Sequence, residues 1–179
     1  MAASLGAEVS ILDISLPRLH QLADVLPPNV TTLYSSAETI AQLLPSCDVV
    51  IGTVLIPGAK APRLITRDML GQMLPGSVLV DVSIDQGGCF ESSRPTTHTE
   101  PTFVENGIVH YCVANMPGAY PRTSTVALTN ATLPYVTLLA QHGPERICSV
   151  SPAMTGALNT FDGSLRNAAV GAAHGIECS

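Results

Sequence analysis

Two aspartates in this sequence stand where a carboxylate could serve a ligand or a reaction. Asp13 closes the apolar stretch VSILD, and Asp85 follows LVDVSI directly before QGG. Proteins with α/β folds bind ligands at the carboxyl ends of their strands, where a carboxylate can accept a hydrogen bond from a sugar or exchange a proton. Each also has an ordinary explanation. Asp13 could begin a turn or cap the next helix, and Asp85 could be a turn residue satisfied by glycine amides.

The elements that must position these aspartates alternate between strands and helices. Residues 8–15, 29–34 and 48–55 are β-branched and apolar, which predicts three strands. Helices are predicted between them, over 15–26 and 35–47, because each segment begins with serine and continues with apolar residues at helical spacing. Strands that are apolar throughout are expected where helices cover both sheet faces, so the pattern predicts an α/β fold with a doubly wound parallel sheet.

The second half of the chain continues this pattern and then changes character. A short helix capped by Thr66 is predicted over residues 66–76. Two more strands are predicted over residues 77–85 and 107–115. Residues 124–143 have helical length and a glycine stop, with a kink expected at Pro134. The tail beyond them carries no strand signal, so we expect helices and loops there.

The composition excludes several classes of partner. The formal net charge is -6, the pI is near 5.2, and no lysine or arginine cluster occurs, so neither nucleic acid nor an anionic membrane surface is an expected partner. Neither a membrane-length apolar run nor a secretory leader is present, which favours the cytoplasm. Five scattered cysteines and five histidines without ligand spacing predict no disulfide framework and no metal site.

The position of Asp13 also predicts what lies outside the chain. In a dinucleotide-binding unit, the ribose-binding carboxylate ends the second strand about 20 residues after a G-x-G-x-x-G turn. A turn that far before Asp13 would lie upstream of Met1. We therefore expect the phosphate-binding turn and the first strand to be absent, and the first residues to be the end of a helix. Losing the central strand of the order 3-2-1-4-5-6 would leave two strand edges unpaired.

Four segments of this sequence resemble bacterial alanine dehydrogenases, and the likeness covers nearly the whole chain. The resemblance implies an incomplete Rossmann-like, NAD-binding domain over residues 1–121 and a C-terminal helical segment over 122–179 that returns to the substrate domain. It also implies reversible oxidative deamination of L-alanine to pyruvate and ammonia with NAD, by a hexameric enzyme. The segments are GTVLIPGAKAPRLI, GSVLVDVSIDQGGCFESSRPTTHTEPTF, HYCVANMPGAYPRTST and LTNATLPYV.

The resemblance also implies roles for particular residues. Asp13 would hold the adenosine ribose, and Asp85 would be the catalytic acid or base, because amine oxidation needs several positioned proton transfers. Gly87 and Gly88 would let the backbone approach the substrate closely. The remaining cofactor contacts would be Arg18 and Ser35 on the adenine side, Val54 and Leu55 packing on the cofactor, and Val82, Asp85, Val113, Asn115 and Met116 at the nicotinamide end.

Other cations and histidines are not assigned catalytic roles. Lys60 could clamp a substrate carboxylate, but we interpret it as a solvated loop lysine, since the resemblance places the carboxylate-binding cations outside this chain. The resemblance places the catalytic histidine there too. No role is therefore assigned to His20, His98, His110, His142 or His174.

Three functions remain open at this stage. The first is an alanine dehydrogenase present as a C-terminal fragment, inactive alone because the phosphate turn and substrate-binding cations are elsewhere. The second is a non-catalytic subunit that docks on a full-length homologue through its free strand edges. The third is the NAD-binding subunit of a transhydrogenase, against which SIDQGGCFESSRPT and the short spacing from Asp13 to Ser35 argue.

Overall fold

The computed structural model describes residues 1–178. Its first part alternates strands and helices, as the sequence pattern predicts. Ser15 accepts a hydrogen bond from the backbone of Arg18 at 3.4 Å, and Ser36 accepts one from Thr39 at 3.0 Å, so both predicted serine caps form. The elements are a 3₁₀ turn at Ala3–Leu5, β1 (Val9–Asp13), α1 (Leu16–Val25), β2 (Val30–Tyr34), α2 (Ala37–Leu43), a 3₁₀ turn at Leu44–Ser46 and β3 (Val49–Gly52).

The rest of the chain holds three strands, a long helix and a smaller C-terminal group. The elements are a 3₁₀ helix at Asp68–Gln72, β4 (Val78–Asp81), a 3₁₀ turn at Val82–Gln86, β5 (Thr102–Glu105), β6 (Ile108–Tyr111), a 3₁₀ turn at Met116–Ala119, α3 (Pro121–Val150), α4 (Pro152–Ala157), β7 (Thr160–Phe161), β8 (Ser164–Leu165) and α5 (Ala168–His174).

The strands of the described chain form a parallel pair, a mixed four-stranded sheet and a separate two-stranded hairpin. Strands β1 and β2 pair in parallel with Asp13 opposite Tyr34. The larger sheet has the order β3-β4-β6-β5, and every pairing in it is parallel except that between β5 and β6. Strands β7 and β8 form an antiparallel pair. The prediction of an α/β fold with a parallel sheet is confirmed.

Two strand pairings contradict the sequence analysis. Strand β5 was not predicted, and β7 with β8 lies in the tail where no strand was expected. Each hairpin turns on two residues with positive φ, Asn106-Gly107 (52° and 79°) and Asp162-Gly163 (50° and 72°). Asn-Gly and Asp-Gly are the residue pairs that favour such tight turns, so both hairpins were signalled in the sequence and missed.

Three local predictions also need correction. The strand predicted over 77–85 ends at Asp81, because the Asp81 carboxylate accepts a hydrogen bond from Ser83 N at 3.0 Å and starts a 3₁₀ turn. The helix predicted after Thr66 is a five-residue 3₁₀ helix with no side-chain cap. Within α3 the backbone leaves helical geometry at Gly143 (φ 71°, ψ 167°), where the predicted helix was expected to stop, whereas no such break occurs at Pro134, where a kink was expected.

The core lies on one face of the larger sheet. Strand β3 packs there so closely that a Cβ added to Gly52 would lie 2.7 Å from Phe90 Cζ. On the other face of β3, Val49 and Ile51 remain 53% and 58% exposed. Helices therefore do not cover both faces of this strand as predicted. The buried cluster consists of Leu44, Ala61, Ile65, Leu70, Met73, Leu79, Cys89, Phe90 and Ile108.

Neither a membrane span nor a metal cluster is found in the described chain. None of its helices combines the length and apolar character needed to cross a membrane. Within residues 1–178, no three His, Cys, Asp or Glu side chains group in a way that could hold a metal ion.

Candidate active site

Asp85 and Asn115 meet where two parallel strands end. Asp85 is exposed on the 3₁₀ turn after β4, and Asn115 follows β6 with a positive φ of 52°. The backbone N–H of Asn115 donates to both carboxylate oxygens of Asp85, at 3.3 Å to Oδ1 and 3.2 Å to Oδ2. The structure thus brings together two residues that are 30 positions apart and that the sequence analysis assigned to the same end of a cofactor.

The segment after β3 joins this group through a serine. Ser83 Oγ donates to the carbonyl of Val54 at 2.7 Å, which ties the end of β3 to the turn carrying Asp85. Beside this link, the apolar side chains of Leu55 and Val82 stay 64% and 46% exposed. Apolar side chains exposed beside a polar cluster are typical of a surface that a flat ring can cover.

Two residues of the predicted nicotinamide end are less accessible than the others. Val113 is fully buried and Met116 is half-buried. A ligand could therefore contact the backbone of Val113 but not its side chain. His98, to which the sequence analysis assigned no role, lies beside this group, because its Nε2 is 3.0 Å from the carbonyl oxygen of Asn115.

Asp13 and Ser35 form a second group, on the other sheet. Ser35 N donates to the backbone carbonyl of Asp13 at 3.0 Å, and Asp13 Oδ1 accepts from Ser15 N at 2.8 Å. This second bond is the turn geometry of the ordinary explanation for Asp13, and it leads into α1. Arg18 is exposed on α1, where its guanidinium donates to Gln21 Oε1 at 2.6 Å.

Sequence reasoning missed Asp81, a fully buried carboxylate at the end of β4. It accepts hydrogen bonds from the backbone of Ser83 and Cys89 and from the hydroxyl of Ser93. Burial and the adjacent Asp81 raise the pKa of the Cys89 thiol to about 12, so this thiol stays protonated and unreactive. A charged residue inside the apolar run VLVDV was the signal that could have identified Asp81.

A second missed pair is Ser92 and His110, both buried. The hydroxyl of Ser92 lies 2.8 Å from His110 Nε2, and His110 Nδ1 lies 3.0 Å from the carbonyl of Ile108. Because a carbonyl only accepts, Nδ1 carries the hydrogen and the neutral ring accepts the serine proton at Nε2. Burial lowers the pKa of His110, and nearby Arg67 and Arg94 add to this, while the bond to Ile108 opposes it. Since both side chains are buried, we interpret the pair as structural.

Comparison with known proteins identifies relatives over almost the entire chain. The protein family described as alanine dehydrogenase/PNT, C-terminal domain, matches residues 1–168. The alanine dehydrogenase of Halomonas elongata is 56% identical over 177 residues, which is 99% of this chain and 48% of the relative. The chain therefore spans about half the length of the relatives it matches.

Solved structures give the same picture of the fold. The structure of an L-alanine dehydrogenase is 44% identical in sequence, with a TM-score of 0.81. The match covers 98% of this chain and 48% of the chain in that structure. The structure of a transhydrogenase from Sinorhizobium meliloti is 26% identical in sequence, with a TM-score of 0.69. The match covers 93% of this chain and 44% of the chain in that structure.

Proposed function

The chain belongs to the alanine dehydrogenase/PNT C-terminal domain family, and from this premise we propose that it forms the cofactor side of an NAD-dependent alanine dehydrogenase. The proposed reaction is the reversible oxidative deamination of L-alanine to pyruvate and ammonia. The observation that carries the proposal is the contact between Asp85 and Asn115 at the carboxyl ends of two neighbouring parallel strands. Ligands of α/β sheets bind at these ends.

The residues present fit the two ends of a dinucleotide. The exposed apolar side chains of Leu55 and Val82 provide a surface for the nicotinamide ring, next to the polar groups of Asp85 and Asn115. Asp13, half-buried at the end of β1, provides a carboxylate for the adenosine ribose. The sequence contains no G-x-G-x-x-G segment, so donors for the pyrophosphate would come from outside this chain.

Asp85 is proposed to move protons in this reaction. Bound NAD would supply the hydride acceptor. The amine nitrogen must lose a proton, water must attack the resulting imine carbon, and ammonia must leave as the ketone forms. An exposed carboxylate held by the Asn115 amide can accept a proton from the nitrogen or from water and return it to the departing ammonia.

The enzyme assay that tests the proposal uses a chimera. In it, the part of the Halomonas elongata relative that lies outside the match is placed before residue 1 of this chain. We expect it to form NADH from L-alanine and NAD, measured at 340 nm, and we expect the 179-residue chain alone to form none, because substrate and pyrophosphate would not be held. A folded, hexameric chimera without turnover, or turnover by the chain alone, would contradict the proposal.

A second candidate function rests on the exposed strand β3. It lies at the edge of its sheet, where a partner strand could pair with its backbone, and its outer face carries the exposed side chains of Val49 and Ile51. The chain would then be a non-catalytic subunit of a full-length homologue. Co-purification with such a homologue at a fixed ratio, with no change in the homologue's kcat, would favour this function. The transhydrogenase alternative rests on the weaker 26% similarity.

We place the working enzyme in the cytoplasm as a homo-oligomer, with a hexamer expected. Neither nucleic acid nor membrane is a proposed partner, because the chain is acidic.

A further inference from the structure

One buried carboxylate holds both ends of the turn that carries Asp85. Asp81 Oδ1 accepts from Ser83 N at 3.0 Å, where the turn begins. Asp81 Oδ2 accepts from Cys89 N at 2.9 Å and from Phe90 N at 3.4 Å, just after the turn ends. Because Asp81 is fully buried, solvent does not compete for these bonds. The Asp81 side chain therefore binds both ends of the segment from Ser83 to Cys89.

An arginine holds the same loop through its carbonyl groups. Arg63 Nη1 donates to the carbonyl of Gly88 at 3.1 Å and to that of Phe90 at 2.5 Å. The peptide group between Gly88 and Cys89 thus has its N–H on the Asp81 carboxylate and its C=O on the Arg63 guanidinium. Each charge faces the end of the peptide dipole that it attracts, so the two side chains stabilise one orientation of this peptide.

The glycine at position 88 makes this closure possible. Its φ is +78°, a conformation that other residues seldom adopt, and a Cβ there would lie 2.7 Å from Asp81 Oδ2. The loop backbone therefore approaches the carboxylate at a place where no side chain fits.

We propose that Asp81, together with Arg63, is a positioning residue that fixes Asp85 against the Asn115 amide for proton transfer, an inference that rests on the proposed function. Asp81 itself is buried and does not reach the substrate. It acts by holding the turn, and a misplacement of about 1 Å in a catalytic group can cost about 100-fold in rate.

A double-mutant cycle in the chimera separates positioning from general stability. Asp81→Asn keeps the shape of the side chain but replaces one carboxylate oxygen by an NH₂ group. That group cannot accept the backbone hydrogen bonds that the oxygen accepts. We expect it to lower kcat by about tenfold or more with the KM for NAD changed less than about twofold. In an Asp85→Asn background, we expect Asp81→Asn to produce no further loss of kcat, because its effect passes through Asp85.

The matched control is Ser92→Ala, which removes a different buried hydrogen bond close to the same loop. We expect Ser92→Ala to lower the melting temperature while leaving kcat per folded enzyme unchanged. Equal losses of kcat from Asp81→Asn with and without Asp85 would overturn the proposal. So would a loss of stability with unchanged kcat. If Asp81→Asn does not fold, Arg63→Ala takes its place in the same cycle.

A second readout keeps this inference separate from the proposed function. Hydrogen exchange of the 179-residue chain, followed by mass spectrometry, reports the turn directly. We expect Asp81→Asn to raise exchange at least about tenfold in residues 82–93 and to leave residues 102–111 unchanged. An inactive wild-type chimera would count against the proposed function, whereas unchanged exchange in residues 82–93 would overturn the role of Asp81 whatever the activity.

Discussion

Three aspartates at or just beyond the ends of parallel strands have very different surroundings. Asp13 is half-buried and caps a turn, Asp81 is fully buried among backbone donors, and Asp85 is exposed beside one amide. A carboxylate that exchanges protons with a substrate must be accessible, and one that organises a loop must be shielded from water. These surroundings support the proposed proton transfer by Asp85 and the proposed positioning role of Asp81.

His110 gives a prediction at the same scale, on the pH dependence of stability. Burial lowers the pKa of His110 in the folded chain, so the unfolded chain binds the extra proton first as the pH falls. The stability that the neutral ring provides should be fully present above about pH 6.5, the ordinary histidine value, and should decline as the pH falls from there to the folded-state pKa.

Urea unfolding of the wild-type chain and His110→Gln at pH 7.5 and pH 5.5 measures this effect. We expect the wild type to lose more unfolding free energy between the two pH values than the variant loses, because glutamine does not titrate. Equal losses in both proteins would show that His110 contributes nothing to the pH dependence.

The sequence analysis identified Asp13 and Asp85 but not Asp81 or the pair of Ser92 and His110. The first two follow apolar runs, which is a local signal. Asp81 also bonds to Cys89, eight positions away, and Ser92 bonds to His110, 18 positions away, and the sequence does not indicate which distant residues such side chains meet. His110 was therefore grouped with the ordinary histidines, and its partner was not found.

At the scale of elements, strand β3 depends on a close approach that only glycine permits. A Cβ at Gly52 would lie 2.7 Å from the Phe90 ring and closer still to Cys89 Sγ. We expect Gly52→Ala to lower the unfolding free energy by about 1–3 kcal/mol, because buried neighbours must move to accept the methyl group. Chemical denaturation of the chain provides the measurement.

Gly71→Ala is the matched control for this prediction. Gly71 lies in a 3₁₀ helix, and nothing stands within 4 Å of the position a Cβ would take. The control should change the unfolding free energy by less than about 0.5 kcal/mol. Equal effects of the two substitutions would mean that the contact with Phe90 does not constrain β3.

The pattern of elements was predicted more fully than their ends. Alternating apolar strands and serine-capped helices gave β1 to β4 and both of the first two helices, because these signals lie within each segment. Strand β4 was predicted too long because the capping carboxylate of Asp81 had to be recognised first. Strand β6 was predicted, but β5, β7 and β8 were missed because the Asn-Gly and Asp-Gly turns were not given the weight they carry.

At the scale of the whole molecule, the parallel strands of the described chain lie in two sheets that no strand joins. Sheet β1-β2 carries Asp13, and sheet β3-β4-β6-β5 carries the end at which Asp85 meets Asn115. The relatives are about twice as long as this chain. Under the proposed function, a strand between these groups and the pyrophosphate donors would come from the part of the relatives that lies outside the match. The division into residues 1–121 and 122–179 stays a proposal, which rests on the change in composition at Arg122 and on the resemblance.

The central claim is that Asp13 and Asp85 serve opposite ends of one bound dinucleotide. A crystal structure of the chimera with NADH tests it most directly. We predict the adenosine ribose hydroxyls within about 3 Å of the Asp13 carboxylate and the nicotinamide ring against Val82, beside Asp85 and Asn115. Density for NADH that leaves either aspartate without a cofactor contact would contradict the account.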